Sequence, residues 1–198
     1  GTGCTGSRFL NGNLQIHEEL EAGLDFIRRS PKDAGTLELI VRRPDIDRRE
    51  VIDEGTVDPV VGLVGDSWTK RASSRTHDGS PHPDRQITIM NSRAADVIAS
   101  GVHRWPLAGD QLFVDLDLGI DNLPPGTELH IGDAVLVVTA PPHTGCSKFA
   151  ARFGTDALKF VNSSEGRRLN LRGIHAKVIR PGLIIKGDTV RVHRSTQI

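Results

Sequence analysis

The chain has 198 residues, of which 37% are hydrophobic and 25% charged, and its 25 Lys and Arg residues balance 25 Asp and Glu residues. This length suits one domain with a substantial core, and the composition excludes a disordered or low-complexity chain. Because the net charge is zero and no run approaches the roughly 18 to 20 apolar residues of a membrane span, we predict no nucleic-acid partner and no membrane partner.

Residues 1–7 are mostly small and lack an initiator methionine, and we interpret them as a non-native leader left by cloning. Residues 8–198 are then a single domain, since no internal repeat or Gly/Ser linker divides them. If Cys4 belongs to the leader, Cys146 is the one native cysteine. A single cysteine cannot form an intramolecular disulfide, which indicates a reducing, cytoplasmic compartment.

The predicted elements are a few helices and many short strands. Apolar residues at helical spacing predict helices over 14–29 and 92–100, and the charged segment 45–54 is expected to be a helix or a turn. Residues 68–85 are polar and rich in turn residues, so we expect a loop there. Short apolar segments bounded by turn signals predict strands at 35–41, 60–64, 86–90, 111–118, 134–140, 175–179, 183–185 and 189–193. Their spacing favours a mainly β fold, a barrel or closed sheet with peripheral helices.

Two acidic motifs accompany predicted strands. Asp66 follows a strand and opens the polar loop, where its carboxylate can satisfy loop backbone donors. Asp115 and Asp117 alternate with apolar residues along one strand, so they share its other face. Such a pair suits acid–base chemistry, but it is more commonly solvated or paired with arginine. Asn122 lies in a segment, 121–126, that is first of all a turn.

The segment 141–154 combines turn residues with a short helical pattern. Pro141 and Pro142 end the preceding strand because proline cannot donate to a sheet, and Gly145 allows a tight backbone just before Cys146. Phe149 and Phe153 then recur at helical spacing as core residues. The pattern therefore places Cys146 near the start of a helix.

Two cations, Lys148 and Arg152, lie four residues apart on another face of this helix. Backbone N–H groups and nearby positive charge favour a thiolate, which lowers the pKa of Cys146. An anion held between the two cations would relieve their repulsion, and His143 would carry a proton or donate another hydrogen bond. The alternatives are that Cys146 is a small buried hydrophobe and that His143 caps a turn.

The charges are unevenly distributed along the chain. Residues 141–198 contain eleven Lys and Arg against three Asp and Glu, whereas residues 1–140 contain fourteen against twenty-two. A basic last third in a neutral protein indicates a localised anion site, unless the charges are scattered over the surface. The spacings of zinc ligands, glycine-rich phosphate loops and serine nucleophile elbows are missing from the sequence.

Taken in chain order, these motifs resemble those of the MOSC domain, the C-terminal domain of molybdenum cofactor sulfurases and of stand-alone bacterial relatives. The resemblance runs from about residue 37 to residue 193. The matching motifs are Gly62 to Asp66 with Trp68, Gln86 to Met90, Gly109-Asp110, Val114 to Asp117, Asn122 to Gly126, Ile131-Gly132, Pro142-His143-x-Gly145-Cys146-x-Lys148-Phe149, Arg152 to Gly154, Leu171 to Gly173 and Gly187-Asp188.

The resemblance implies a closed, mixed β-barrel with peripheral helices, of the pyruvate-kinase β-barrel-like type. It implies that Cys146 carries sulfur as a persulfide or binds the molybdenum of the pterin cofactor, molybdopterin, with His143 as the second catalytic candidate. The candidate cofactor-binding residues are Lys148, Arg152, Arg172, Asn122, Asp117 and Asp66. Although the family is linked to pyridoxal-phosphate desulfurases, we expect no pyridoxal phosphate on this domain itself, so a cysteine desulfurase or another donor would supply the sulfur.

Three functions follow from these observations. The first is a sulfur-carrier and cofactor-binding protein that uses Cys146 as thiolate or persulfide. The second is a molybdoenzyme that reduces N-hydroxylated bases or amidoximes, with Cys146 as the molybdenum ligand and a molybdoenzyme or redox protein as partner. The third is a non-catalytic module that binds an anion or a partner protein through its basic face.

Overall fold

The computed structural model describes residues 14–195, so the proposed leader, residues 1–7, lies outside the described residues. The strands are β1 Ala34–Arg42, β2 Glu50–Ile52, β3 Glu54–Asp58, β4 Gly62–Leu63, β5 Ile87–Asn91, β6 Leu112–Asp115, β7 Glu128–Ile131, β8 Ala134–Val138, β9 Ile174–Arg180, β10 Gly182–Ile185 and β11 Thr189–His193. The α-helices are α1 His17–Ala22, α2 Leu24–Arg28, α3 Ser92–Ala99, α4 Ser147–Phe153, α5 Thr155–Asn162 and α6 Ser164–Arg168. Short 3-10 helices span Ser67–Lys70, Pro83–Arg85 and Val102–Ala108.

Seven strands close into a mixed β-barrel in the order β11, β7, β8, β9, β5, β6, β1 and back to β11. The β5–β6 pair is parallel, and the other pairs of the barrel are antiparallel. β1 is long enough to change partners, since residues 34–36 pair with β11 and residues 40–42 pair with β2. A small second sheet has the order β10, β3, β4. The predicted closed, mixed barrel with peripheral helices is confirmed.

Two apolar clusters divide the core, and the alternation of side chains along the strands explains the division. Leu112 and Val114 of β6 belong to the cluster inside the barrel, together with Leu116 and Leu118 beyond the strand's end. Phe113 belongs to a second cluster that packs the helices against the outside of the barrel. All five side chains are fully buried, so each face of β6 has its own apolar partner.

The first helical prediction is divided in the structure. In place of one helix over 14–29, α1 and α2 meet at Gly23, where a Cβ atom would lie 2.6 Å from Val97 of α3. The close approach of α3 therefore requires glycine at this point. Among the helices of residues 14–195, none has the length and apolar character to cross a membrane.

The prediction of a helix or turn over 45–54 is wrong for its second half, which forms β2 and the start of β3. The reason is tertiary pairing, because Glu50 lies opposite Arg42 of β1 and the two side chains form an ion pair at 2.6 Å. Three further elements were not predicted, namely β7, α5 and α6. They are short and mostly polar in sequence, and tertiary packing stabilises them: β7 pairs within the barrel, α5 packs against α4, and α6 packs against α5.

Candidate functional site

Cys146 lies at the start of α4, in the connection that follows β8. It is the N-cap residue of α4, with extended backbone angles of φ −130° and ψ −178°, and its thiol is free and exposed. The preceding Gly145 is held by both amide atoms of Asn162, whose Oδ1 accepts from Gly145 N at 2.9 Å and whose Nδ2 donates to Gly145 O at 3.1 Å. The predicted position of Cys146 is confirmed, and the alternative of a buried hydrophobe is wrong.

The surroundings of Cys146 favour its thiolate form. Partial burial raises the pKa of the thiol, but hydrogen bonds from the backbone N–H groups of Phe149 and Lys148 and the charges of Arg172 and Lys148 together outweigh it, so the pKa is lowered. A thiolate is the nucleophilic and metal-binding form of cysteine. The exposed sulfur of Cys146 therefore ionises more readily than that of an ordinary cysteine.

A buried carboxylate organises the groups behind the thiol. Asp110 has no exposed surface, and its two oxygens lie 2.5 Å from Arg172 Nη1 and 2.9 Å from His143 Nε2. Burial alone would raise the pKa of Asp110, but the charges and hydrogen bonds of Arg172 and His143 lower it to about 2. Arg172 is also held by Ala108 O at 2.8 Å and lies over the ring of Phe149 at 5.1 Å. Its positive charge is thereby fixed beside Cys146.

The histidines of the site are neutral near pH 7. Burial lowers the pKa of His143, as does the charge of Arg172, against the opposing effect of Asp110. Because the ionised Asp110 only accepts hydrogen bonds, Nε2 of His143 carries the proton and Nδ1 keeps its lone pair. Burial and the neighbouring His143 lower the pKa of His175 to about 4, and its Nδ1 donates to Pro141 O at 3.0 Å.

A cavity of about 240 Å³ adjoins these two histidines, whose rings are 4.7 Å apart. Its walls are mainly apolar and come from the 120–125 turn, the end of β8 and the start of β9. Among its lining residues are Ile120, Leu123, Val138, Pro142 and Ile174. A neutral, largely apolar group would therefore fit beside His143 and His175 better than a charged one.

The loop at the C-terminal end of the 3-10 helix Val102–Ala108 binds three arginines through successive carbonyl groups. Arg152 donates to Leu107 O at 2.9 Å, Arg172 to Ala108 O at 2.8 Å and Arg43 to Gly109 O at 3.2 Å. Carbonyl groups at a helix C-terminus have no partner within the helix and carry partial negative charge, which favours cations. This loop, which Asp110 follows directly, is therefore the point where basic side chains from three parts of the chain meet.

The predicted site residues fall into two places. Lys148 and Arg172 act on Cys146, and Arg152 is attached to the same loop as Arg172. Asp66 is connected to this loop indirectly, through Arg43. Both oxygens of Asp66 bind Arg43, at 2.8 Å and 2.9 Å, and Asp66 also caps the 3-10 helix Ser67–Lys70. Arg152, Arg172 and Arg43, which Asp66 binds, therefore meet at the loop that precedes Asp110.

Asp117 and Asn122 lie elsewhere, in the lining of a separate cavity of about 520 Å³. Asp117 pairs with Lys32 at 2.9 Å, and Asn122 binds Asp117 O, Lys32 O and Arg194 Nη2. Their hydrogen bonds hold the chain together locally, and their part in cofactor binding stays a prediction. Asp115, which the sequence placed on the same face as Asp117, pairs with Arg93 at 2.8 Å.

Sequence reasoning did not assign site roles to Asp110, Arg43, Arg49 or His175. Asp110 was noted only within the Gly109-Asp110 motif, and its partners His143 and Arg172 are 33 and 62 residues away. The Gly109-Asp110 motif was the available signal. A carboxylate beside a glycine in a turn does not indicate a site until its partners are known.

The residues present fit an anionic group better than a metal ion bound by protein ligands alone. Within residues 14–195, no group of three or more His, Cys, Asp and Glu side chains is arranged to hold a metal ion. The Nε atoms of Arg172 and Arg49 are buried and lack hydrogen-bond partners among the described residues. Together with the thiolate, such donors suit a metal that arrives within an anionic cofactor.

A family model for the MOSC domain matches residues 74–191. This chain belongs to the MOSC-domain family. The matched range includes Cys146, Asp110 and both partners of Asp110, whereas Arg43 and Asp66 precede it.

Solved structures with this fold include YuaD from Bacillus subtilis, which is 20% identical, with 82% of this chain and 97% of that chain covered and a TM-score of 0.61. A hypothetical protein is 19% identical, with 87% of this chain and 72% of that chain covered and a TM-score of 0.57. YiiM from Escherichia coli is 17% identical, with 82% of this chain and 72% of that chain covered and a TM-score of 0.53. At these identities the likeness shows the shared fold.

A separate match joins 24 residues of this chain to a serine palmitoyltransferase from Bacteriovorax stolpii, at 83% identity. It covers 12% of this chain and 6% of that protein. The match is too short to include a domain, and it carries no statement about the activity of the MOSC domain.

The thiolate can be tested by its reactivity. In a Cys4→Ser background, the rate of alkylation of Cys146 by iodoacetamide should titrate with a midpoint below the ordinary thiol pKa of about 8.5. Lys148→Gln should raise the midpoint, because it removes one charge that stabilises the thiolate. Lys159→Gln, at an exposed position of α5, is the matched control and should leave the midpoint unchanged. A wild-type midpoint at or above the ordinary value would contradict the assignment.

The buried histidine His175 should make folding stability depend on pH. Its folded pKa of about 4 is below the unfolded value of 6.5, so the unfolded chain binds a proton in this range and the folded chain does not. Titration of His175 should therefore lower the free energy of unfolding by on the order of 3 kcal/mol as the pH decreases from 6.5 to 4.

Urea denaturation at several pH values measures this dependence. His175→Gln should flatten the slope between pH 4 and 6.5, whereas His77→Gln, in the polar loop, should retain it. Equal slopes in the wild type and His175→Gln would show that His175 is not kept neutral by the fold.

Proposed function

We propose that this MOSC domain is a sulfur carrier and binds the molybdenum cofactor, with Cys146 as the reactive group. The observation that carries the proposal is an exposed thiol whose pKa is lowered, with a buried, fixed cation behind it. Cys146 is solvent-accessible, receives two backbone N–H groups and faces Arg172, whose own position is set by Asp110. A cysteine used only for packing needs none of these contacts.

The sulfur-transfer step requires only a thiolate and access to a partner. The Sγ anion of Cys146 attacks the outer sulfur of a cysteine persulfide on a donor protein. A new S–S bond forms on Cys146, the donor's S–S bond breaks, and the donor cysteine leaves as a thiolate with the electron pair. Arg172 and the N–H groups of Lys148 and Phe149 would then stabilise the negative charge that remains on the bound persulfide.

The cofactor would be held through its charge as well as through sulfur. Arg172 and Lys148 would bind an anionic part of the cofactor, and Cys146 would be the protein's ligand to molybdenum. When bound, the cofactor supplies two-electron redox chemistry that amino-acid side chains lack. Asp110 keeps Arg172 and His143 oriented toward this group, and the neutral His143 carries its proton on Nε2.

A mass-spectrometric assay tests the sulfur-carrier proposal. After incubation with a cysteine desulfurase and cysteine, the Cys146 peptide should gain the mass of one sulfur atom, and a thiol reductant should remove it. Cys146→Ser should abolish the gain, while Cys4→Ser should leave it intact. If Cys146 is alkylated readily but accepts no sulfur from any persulfide donor, the protein is a binding module or a metal-binding enzyme instead.

A second candidate function, a molybdenum-dependent reductase for N-hydroxylated bases or amidoximes, is favoured by the apolar cavity beside His143 and His175. Persulfide transfer between proteins does not need such a cavity, whereas a small neutral substrate does. A redox partner would supply the electrons for the reduction.

Metal analysis together with an amidoxime-reduction assay separates the two candidates, because both would bind the cofactor but only the reductase would turn over an amidoxime. Protein expressed in a host that makes the cofactor should contain molybdenum in equal amount to the chain if it is a reductase, and Cys146→Ala should lose that metal. Ile174→Trp, which would fill part of the cavity, should reduce turnover of an amidoxime while retaining the metal. Metal-free protein that accepts sulfur normally would reject the reductase.

A further inference from the structure

The cavity beside His143 and His175 is lined by residues that are uncharged near pH 7. All of its lining residues lie within residues 14–195, and they include no Asp, Glu, Lys or Arg. Most of them are aliphatic residues or prolines, and the four with polar side chains are Thr139, His143, Asn170 and His175. A charged ligand would lose hydration there without meeting an opposite charge in the walls, so the cavity favours a neutral ligand.

Each of the two histidines uses its ring N–H within the protein. Nε2 of His143 donates to Asp110 at 2.9 Å, and Nδ1 of His175 donates to Pro141 O at 3.0 Å. An ionised carboxylate and a carbonyl group can only accept, so these contacts fix both tautomers. The other nitrogen of each ring is then an acceptor without a hydrogen-bond partner among the described residues. Neither is one of the buried atoms that lack a partner, so both keep accessible surface.

The other two polar side chains of the lining also direct donors away from the cavity. The hydroxyl of Thr139 donates to Asp84 O, and one N–H of the Asn170 amide donates to Leu118 O at 2.8 Å. Their side-chain oxygens accept no hydrogen bond from the described part of the chain. The four polar side chains of the lining therefore hold four unused acceptors against one unused donor, the second N–H of Asn170.

We propose that this cavity is a binding site for a small, neutral, largely apolar molecule that donates N–H groups to His143 and His175. The two rings are 4.7 Å apart, so one amino group with two diverging N–H bonds suits both acceptors. A ligand without donors would desolvate the two nitrogens and leave them unpaired, which weakens binding. The proposal deepens the reductase candidate and rests on it for the identification of this ligand as a substrate.

Three benzene derivatives of similar shape test the donor requirement. Benzamide has two N–H donors, acetophenone has a methyl group in place of the amino group, and benzamidine has donors together with a positive charge. In NMR titrations of the full chain at pH 7, benzamide should bind about tenfold more tightly than either of the other two. Equal or tighter binding of acetophenone or benzamidine would overturn the proposal.

A variant assigns the preference to the cavity. His175→Phe keeps an aromatic ring but removes one acceptor, so it should lose most of the preference for benzamide over acetophenone. His77→Phe is the matched control, because His77 is exposed in the polar loop, and it should retain the preference. An unchanged preference in His175→Phe would show that the donors of benzamide bind elsewhere.

Nitrogen NMR of the histidine-labelled wild type gives a result even if His175→Phe does not fold. At pH 7, His143 should be the Nε2–H tautomer and His175 the Nδ1–H tautomer, and saturating benzamide should shift the unprotonated nitrogen of both rings. The opposite tautomer in either ring, or no shift with benzamide, would contradict the proposed site.

The same titrations separate this proposal from the proposed function. Cys146→Ser should prefer benzamide as the wild type does, because Cys146 does not line the cavity. If the preference is present but the protein neither accepts sulfur nor binds molybdenum, the proposed function alone is wrong. If the protein performs either of those reactions but binds benzamide and acetophenone equally, the proposal for the cavity alone is wrong.

Discussion

The site depends on one buried interaction, the pairing of the Asp110 carboxylate with Arg172 and His143. Burying a carboxylate lowers the free energy of unfolding unless charges and hydrogen bonds compensate for the lost hydration. Removing one partner of such a buried pair typically lowers the free energy of unfolding by about 3–5 kcal/mol. Here the compensation has a functional consequence. Asp110 fixes the cation of Arg172 beside the Cys146 sulfur and sets the proton of His143 on Nε2, so a residue that solvent does not reach contributes to the electrostatics of the exposed thiol.

The barrel brings these groups together through its register. Leu112 of β6 and Ile174 of β9 both pair with Ile89 of β5, and Asp110 and Arg172 each precede one of these positions by two residues. His143 follows β8, the other neighbour of β9. Closed sheets have little freedom to slip, because a one-residue shift would turn every side chain to the opposite face. The rigid barrel therefore positions a site whose reactive residues lie on its connections.

Much of this architecture follows from local sequence patterns, and much of the site does not. Alternation of apolar residues identifies the strands around Phe113, and Gly145 with the spacing of Phe149 and Phe153 places Cys146 at a helix start. The pairing of Asp110 depends on residues 33 and 62 positions away, which no local pattern reveals. Asn122 shows the converse: its motif resembles a cofactor-binding one, while its amide binds neighbouring backbone and Arg194.

The distribution of ligands bears on how a metal would be bound at Cys146. A protein that binds a metal ion by itself usually supplies three or four side chains, and residues 14–195 contain no such group. With a single thiolate, most of the binding free energy must come from the organic part of a cofactor. The guanidinium groups of Arg43, Arg152 and Arg172 are suited to that part, because backbone carbonyl groups of one loop hold them in position. The charge of Arg172 would also stabilise the anion of a persulfide on Cys146, so both proposed functions make use of the same fixed cation.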